Sequence, residues 1–120
     1  MFSFVCNTGD FGNDIEPSFG EKMVRMGSPI GQMMGAVAMV GPSDLDTDTR
    51  FNNVMCGALW DGLLEGRTPE LAQALHAGKQ ALIKEFGELE INGTNIVGFY
   101  HHIYGVLGDP SLPVWLSPPT

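Results

Sequence analysis

The sequence predicts an α/β fold in which a mostly parallel sheet is flanked by helices, and it predicts that this sheet is incomplete. A strand-forming segment, a helical segment and a second apolar strand follow one another near the N-terminus, which is the order of a parallel crossover unit. Three further helical segments then accompany few strands, although a parallel sheet usually has more. Only 17% of the 120 residues are charged, too few to coat a complete domain of this size, so we expect a piece of a larger domain.

The first elements alternate between strand and helix. Residues 2–6 are rich in strand formers and end at a cluster of turn residues, which places Cys6 at the carboxyl end of a strand. A capping box at residues 18–21 opens a short helix that ends at Gly27. The uninterrupted apolar run of residues 35–41 is bounded by glycines and predicts a parallel strand buried on both faces.

The rest of the chain is predicted to be mainly helical. Apolar residues at helical spacing mark three helices, over residues 51–63, 71–86 and 96–107. Gly87 ends the second of them, and the turn of residues 92–94 precedes the third. Residues 112–116 are predicted to form a last short strand.

Charge and hydropathy exclude several classes of function. The net charge of −8, without any basic stripe, disfavours binding to nucleic acid. The longest apolar stretch, residues 30–40, is far shorter than the roughly 18 residues that a membrane span needs. The two cysteines form no disulfide framework of the kind found in small secreted scaffolds, so the redox compartment stays open.

Cys6 is the strongest candidate for chemistry. In open parallel sheets, reactive groups gather beyond the carboxyl ends of strands, where a thiol and backbone N–H groups face the same crevice. The alternative is a small apolar core residue. A reactive thiol needs a base, and no spacing rule ties His76, His101 or His102 to Cys6. Cys56 lies inside an amphipathic helix and is most simply a buried structural thiol.

An acidic loop follows the second predicted strand. Its aspartates Asp44, Asp46 and Asp48 alternate as they do at the start of a calcium-binding loop. The pattern then fails, because Thr49 stands where the turn glycine belongs and Met55 where the bidentate glutamate belongs. A solvated acidic loop is the better interpretation, and we predict no metal site.

Several segments together resemble the gingipain-type cysteine peptidases, which belong to the wider caspase-like group. They are Phe4-Val5-Cys6-Asn7-Thr8-Gly9-Asp10-Phe11, Phe19-Gly20-Glu21, the apolar strand of residues 35–41, and Leu107-Gly108-Asp109-Pro110-Ser111-Leu112. The resemblance covers nearly the whole chain. It implies a caspase-like fold in which residues 1–120 are the C-terminal part of the catalytic domain.

The same resemblance implies a cysteine endopeptidase that needs no cofactor. Cys6 would be the nucleophile, with its own backbone N–H in the oxyanion hole, and it would attack a peptide or protein substrate through a thioester. Ser43, Asp44, Asp46 and Asp48 lie in the loop that corresponds to the family's pocket-lining loop, although this one has no aromatic residue. Family members are usually exported, which implies a secreted or cell-surface protein.

The general base of the family is a histidine followed by glycine, on the strand that precedes the nucleophile's strand. No histidine precedes Cys6 here. We therefore expect the remaining N-terminal part of the domain to be a partner of this chain and to supply the base. The alternative is a non-catalytic caspase-like module used for binding or secretion.

Overall fold

The computed structural model describes residues 1–12, 14–27, 30–32, 34–66 and 68–117. Its helices are α1 (Phe19–Arg25), α2 (Thr49–Leu64), α3 (Leu71–Phe86) and α4 (Ile96–Ile103). Its strands are β1 (Met39–Pro42), β2 (Glu90–Ile91), β3 (Thr94–Asn95) and β4 (Tyr104–Leu107). The chain divides into two compact units, the first comprising Met1–Thr47 and Ile103–Asp109, and the second Asp48–His102 and Pro110–Thr120.

Strand β1 forms the centre of the first unit. It pairs with β4 in antiparallel register, from Met39 opposite Leu107 to Pro42 opposite Tyr104. On its other side the N-terminal segment runs parallel to it through a bridge between Phe2 and Val40. All four residues of β1 are buried, as expected for a strand with neighbours on both edges.

Helix α1 packs closely against this sheet. It begins as predicted with a capping box, in which the Ser18 hydroxyl accepts from the Glu21 N–H and the Glu21 carboxylate accepts from the Ser18 N–H. Its buried Gly20 donates its N–H to the Thr8 carbonyl at 2.7 Å. A Cβ at Gly20 would lie only 2.7 Å from the Leu107 side chain, so glycine permits the close approach.

The second unit is built on the pair formed by α2 and α3. Each helix buries one apolar face at the predicted spacing; the buried residues include Phe51, Met55, Leu59 and Leu63 on α2 and Leu71, Leu75 and Leu82 on α3. The backbones meet where a Cβ on Gly78 would come 3.0 Å from the Met55 carbonyl oxygen. Gly87 ends α3 with a positive φ of 58°, which confirms the predicted boundary.

The prediction of one helix over residues 96–107 is wrong for its last four residues. Helix α4 ends at Ile103, and the next residues form β4 without an intervening loop. The apolar residues that suggested a longer helix lie in a strand instead. The strand forms because the backbone N–H and C=O groups of β4 pair with those of the buried β1. Tyr104 is buried there, with its ring centroid 5.7 Å from that of Phe4.

The predicted strands are shorter than the sequence suggests. Of the second one, predicted over residues 35–41, only residues 39–41 form a ladder, which continues to Pro42. Residues 2–6 and 112–116 form single bridges, Phe2 with Val40 and Glu70 with Pro113. Among the described residues, parallel pairing is therefore limited to one bridge, and a mostly parallel sheet is not confirmed. The turn at Asn92 and Gly93 is confirmed as the hairpin turn between β2 and β3.

Candidate active site

Cys6 lies where the N-terminal segment leaves its parallel path along β1. The N–H of Gly9 donates to the Pro42 carbonyl at 2.7 Å, and the N–H of Asn7 donates to the Asp44 carbonyl at 2.9 Å. Asn7 adopts a positive φ of 61°, which asparagine tolerates better than most residues. Cys6 is thereby held on a turn at the end of the sheet where β1 also ends, half-buried and not disulfide-bonded.

The loop that leaves β1 is fixed to the same end of the sheet. Both the N–H and the hydroxyl of Ser43 donate to the Ile103 carbonyl, at 2.9 and 3.2 Å. The N–H of Asp46 donates to the Asp44 carboxylate at 3.2 Å, which closes a tight turn within the loop. Asp48 has a different role, because its carboxylate accepts the Arg50 N–H and caps the start of α2.

The carboxylates of Asp44 and Asp48 thus have structural partners. Among the described residues, no group of three or more His, Cys, Asp or Glu side chains is arranged to hold a metal ion. Asp44 stabilises a turn and Asp48 caps a helix.

Thr47, which the sequence did not single out, contacts the candidate nucleophile. Its hydroxyl oxygen Oγ1 lies 2.8 Å from the Cys6 Sγ, and its carbonyl oxygen lies 3.8 Å from the same sulfur. Thr47 is half-buried, and the contact joins residues 41 positions apart in the chain. The one available signal was topological, since loops that follow adjacent parallel segments emerge at the same edge of a sheet.

The backbone N–H of Cys6 has no acceptor within the part of the chain that the structure describes. The next N–H along the chain, that of Asn7, is used to hold the loop at Asp44. An N–H without an internal partner beside a half-buried thiol is a donor available to an oxyanion.

The three histidines all belong to the second unit, whereas Cys6 belongs to the first. The hydrogen bonds of two of them stay within their own helices: His76 Nε2 lies 3.3 Å from Gln80 Nε2, and His101 Nδ1 lies 2.8 Å from the Val97 carbonyl oxygen. These contacts give His76 and His101 a local role, and nothing in them indicates a base for the thiol.

The family model described as peptidase family C25 matches residues 1–115. The chain belongs to this family of peptidases.

Two solved structures show the C25 fold that this chain shares. One is the Arg-specific cysteine proteinase gingipain R (RgpB), with a TM-score of 0.68 and 22% sequence identity. The other is the complex of the RgpB pro- and mature domains from Porphyromonas gingivalis, with a TM-score of 0.67 and 21% identity. Each match covers 94% of this chain, which spans only 25% of the first solved chain and 26% of the second. Among curated proteins, none matches the sequence.

The second cysteine of this C25 chain lies in a different setting. Cys56 is a half-buried free thiol in α2, directly after the fully buried Met55. It is more exposed than the buried thiol that the sequence predicted, and it serves as an internal reference for the reactivity of Cys6.

Proposed function

We propose that this chain is the nucleophile-bearing C-terminal part of the catalytic domain of a C25 cysteine endopeptidase, with Cys6 as the nucleophile. The observation that carries the proposal is the position of Cys6: a half-buried thiol on a turn at the end of the sheet, beside its own unpartnered N–H among the described residues. Family membership supplies the reaction class, and the local geometry supports this residue for it.

The proposed reaction is acyl transfer in two steps. The Cys6 thiolate forms a bond to the carbonyl carbon of a peptide, and the electron pair of the carbonyl double bond moves to oxygen, where the Cys6 N–H can stabilise it. Collapse of this intermediate breaks the C–N bond, and the leaving amine takes a proton from the general base. Water then attacks the thioester, releases the acid and restores the thiol.

The proton acceptor in this proposal lies outside the present sequence. A histidine from the remaining part of the domain would take the thiol proton, in keeping with the resemblance to gingipains. The lengths of the chains support a base supplied by another part of the domain, because this chain spans about a quarter of each solved gingipain chain that it matches. The substrate would be a peptide or protein, with the loop containing Ser43, Asp44, Asp46 and Asp48 beside it.

The proposed setting is outside the cell or at its surface, as the gingipain-like family suggests. Within the described residues, no helix is both long enough and apolar enough to cross a membrane.

The decisive experiment compares the two cysteines in the full-length protein. Cys6→Ala should abolish cleavage of a fluorescent casein substrate, whereas Cys56→Ala should retain it, since only Cys6 forms the acyl intermediate. Circular dichroism of both variants controls for folding. Equal losses in the two variants would refute the assignment, and a folded wild-type protein that neither cleaves nor reacts with a peptide-like electrophile would favour the non-catalytic module.

A further inference from the structure

We propose that Thr47 is a positioning residue for the Cys6 thiolate, through the hydroxyl that lies 2.8 Å from Sγ. This inference rests on the proposed function, because it assigns Thr47 a part in presenting the nucleophile of that reaction. It concerns a residue of the loop after β1 that the sequence did not identify as a site residue.

The contact is held in place from the backbone. Asn7, directly after the nucleophile, donates its N–H to the Asp44 carbonyl, three residues before Thr47. Ser43 is bound in turn to the Ile103 carbonyl by both its N–H and its hydroxyl. The loop that carries Thr47 is therefore anchored both to the sheet and to the turn that carries Cys6.

A hydroxyl can serve both protonation states of the thiol. While Cys6 is protonated, its S–H can donate to the Thr47 Oγ1, or more weakly to the Thr47 carbonyl oxygen 3.8 Å away. Once the base has taken the proton, rotation about the C–O bond lets the hydroxyl donate to the sulfur anion. The second interaction is the stronger, because a hydrogen bond to an ionised acceptor is roughly twice as strong as a neutral one.

Thr47 neither accepts the thiol proton nor bonds to the substrate. Its hydroxyl favours the ionised state of Cys6 and fixes the orientation of the sulfur through the hydrogen bond. We therefore expect its removal to lower the fraction of Cys6 present as thiolate and to raise the intrinsic nucleophilicity of the thiolate that remains.

The test is the pH profile of iodoacetamide labelling, measured separately at Cys6 and Cys56 by peptide mass spectrometry of the full-length protein. In Thr47→Val we expect a tenfold smaller thiolate fraction at neutral pH, equivalent to about 1.4 kcal/mol. Because each remaining thiolate is roughly threefold more nucleophilic, the net effect should be Cys6 labelling that is roughly threefold slower. At alkaline pH, where the thiol is fully ionised in both proteins, the variant should label roughly threefold faster. The plots of Cys6 labelling rate against pH for wild type and Thr47→Val should therefore cross. A change in access to the thiol alone would change the rate in the same direction at neutral and at alkaline pH.

Three variants accompany this measurement. Thr47→Ser keeps the hydroxyl and should restore the wild-type profile. Thr47→Ala, which also lacks the hydroxyl, should reproduce the crossing seen with Thr47→Val. The matched control is Thr68→Val, because the Thr68 hydroxyl donates to the Gly62 carbonyl at 2.8 Å in the second unit and its loss should leave the Cys6 profile unchanged.

A wild-type profile in Thr47→Val, or a loss of rate at both pH limits with Cys56 labelling unchanged, would overturn the proposal. Unfolding of both hydroxyl-free variants would also overturn it, because it would make Thr47 essential to the fold. Labelling needs no peptide cleavage, so each of these outcomes leaves the proposed function to its own test with Cys6→Ala.

Discussion

Gly20 tests how tightly α1 is packed against the turn after the nucleophile. The Cβ of an alanine there would lie 2.7 Å from Leu107 Cδ1, 2.8 Å from the Thr8 carbonyl oxygen and 2.9 Å from Met39 Sδ. The two side chains can shift, but the Thr8 oxygen belongs to the backbone and accepts the Gly20 N–H at 2.7 Å. The helix can therefore relax away from the clash only by lengthening that hydrogen bond.

The expected cost follows from two opposing effects. Overpacking of a buried site destabilises by about 1–3 kcal/mol. Alanine recovers roughly 0.5–1 kcal/mol over glycine in a helix interior. We expect Gly20→Ala to lower the free energy of unfolding by about 0.5–2 kcal/mol, the difference between these effects.

Gly57 on α2 provides the matched control. A Cβ at this position meets nothing within 4 Å, so Gly57→Ala should express only the helix preference and stabilise by roughly 0.5–1 kcal/mol. Urea titration of both variants, fitted with the wild-type m-value, measures the two changes. A Gly20→Ala variant as stable as wild type, alongside a stabilised Gly57→Ala, would refute the packing deduced for α1.

Two further predictions concern the second unit. Tyr100→Phe removes a buried hydroxyl that accepts the Asp48 N–H at 2.7 Å and donates to the Asp48 carbonyl at 3.1 Å. Urea titration should therefore show a free energy of unfolding lower by about 1–2 kcal/mol. An unchanged stability would contradict these hydrogen bonds. Burial lowers the pKa of Lys79, whose Nζ donates to the His101 carbonyl at 2.8 Å. The unfolded chain then binds more protons in the window just below the ordinary pKa of 10.5, so wild type should gain stability over Lys79→Met as pH rises through it. A constant difference between the two proteins across that window would exclude the linkage.

Local patterns predicted the helices well and the strands poorly. Helices α2 and α3 were predictable because each satisfies its backbone within itself and needs only one periodic apolar face. The extent of β1 and β4 depends instead on a partner far away in the chain, since Val40 lies opposite Val106. Apolar residues between 104 and 107 fit either a helix face or a strand, and only the presence of β1 decides between them.

The site was predictable to a similar degree. The turn residues after Cys6 locate the thiol at the end of the sheet, and the family motif supplies its proposed role. Thr47 could not be identified, because threonine is a common loop residue and its contact depends on the path of the loop from Ser43. The hydrogen bonds of Tyr100 could not be predicted either, since the hydroxyl that binds Asp48 leaves no trace in the spacing of apolar residues.

The direct passage from α4 to β4 bears on the order in which the chain folds. Pairing of β1 with β4 closes a loop that contains both long helices. Closing this loop costs conformational entropy, because the paired residues are far apart in sequence. The contacts between α2 and α3 are local and form on a much faster time scale. The turn that carries Cys6 is tied to β1 through Pro42, so we expect the candidate nucleophile to reach its final geometry only once β1 has taken its place in the sheet. Under the proposed function, Cys6 would therefore gain its reactive geometry only after this long-range pairing.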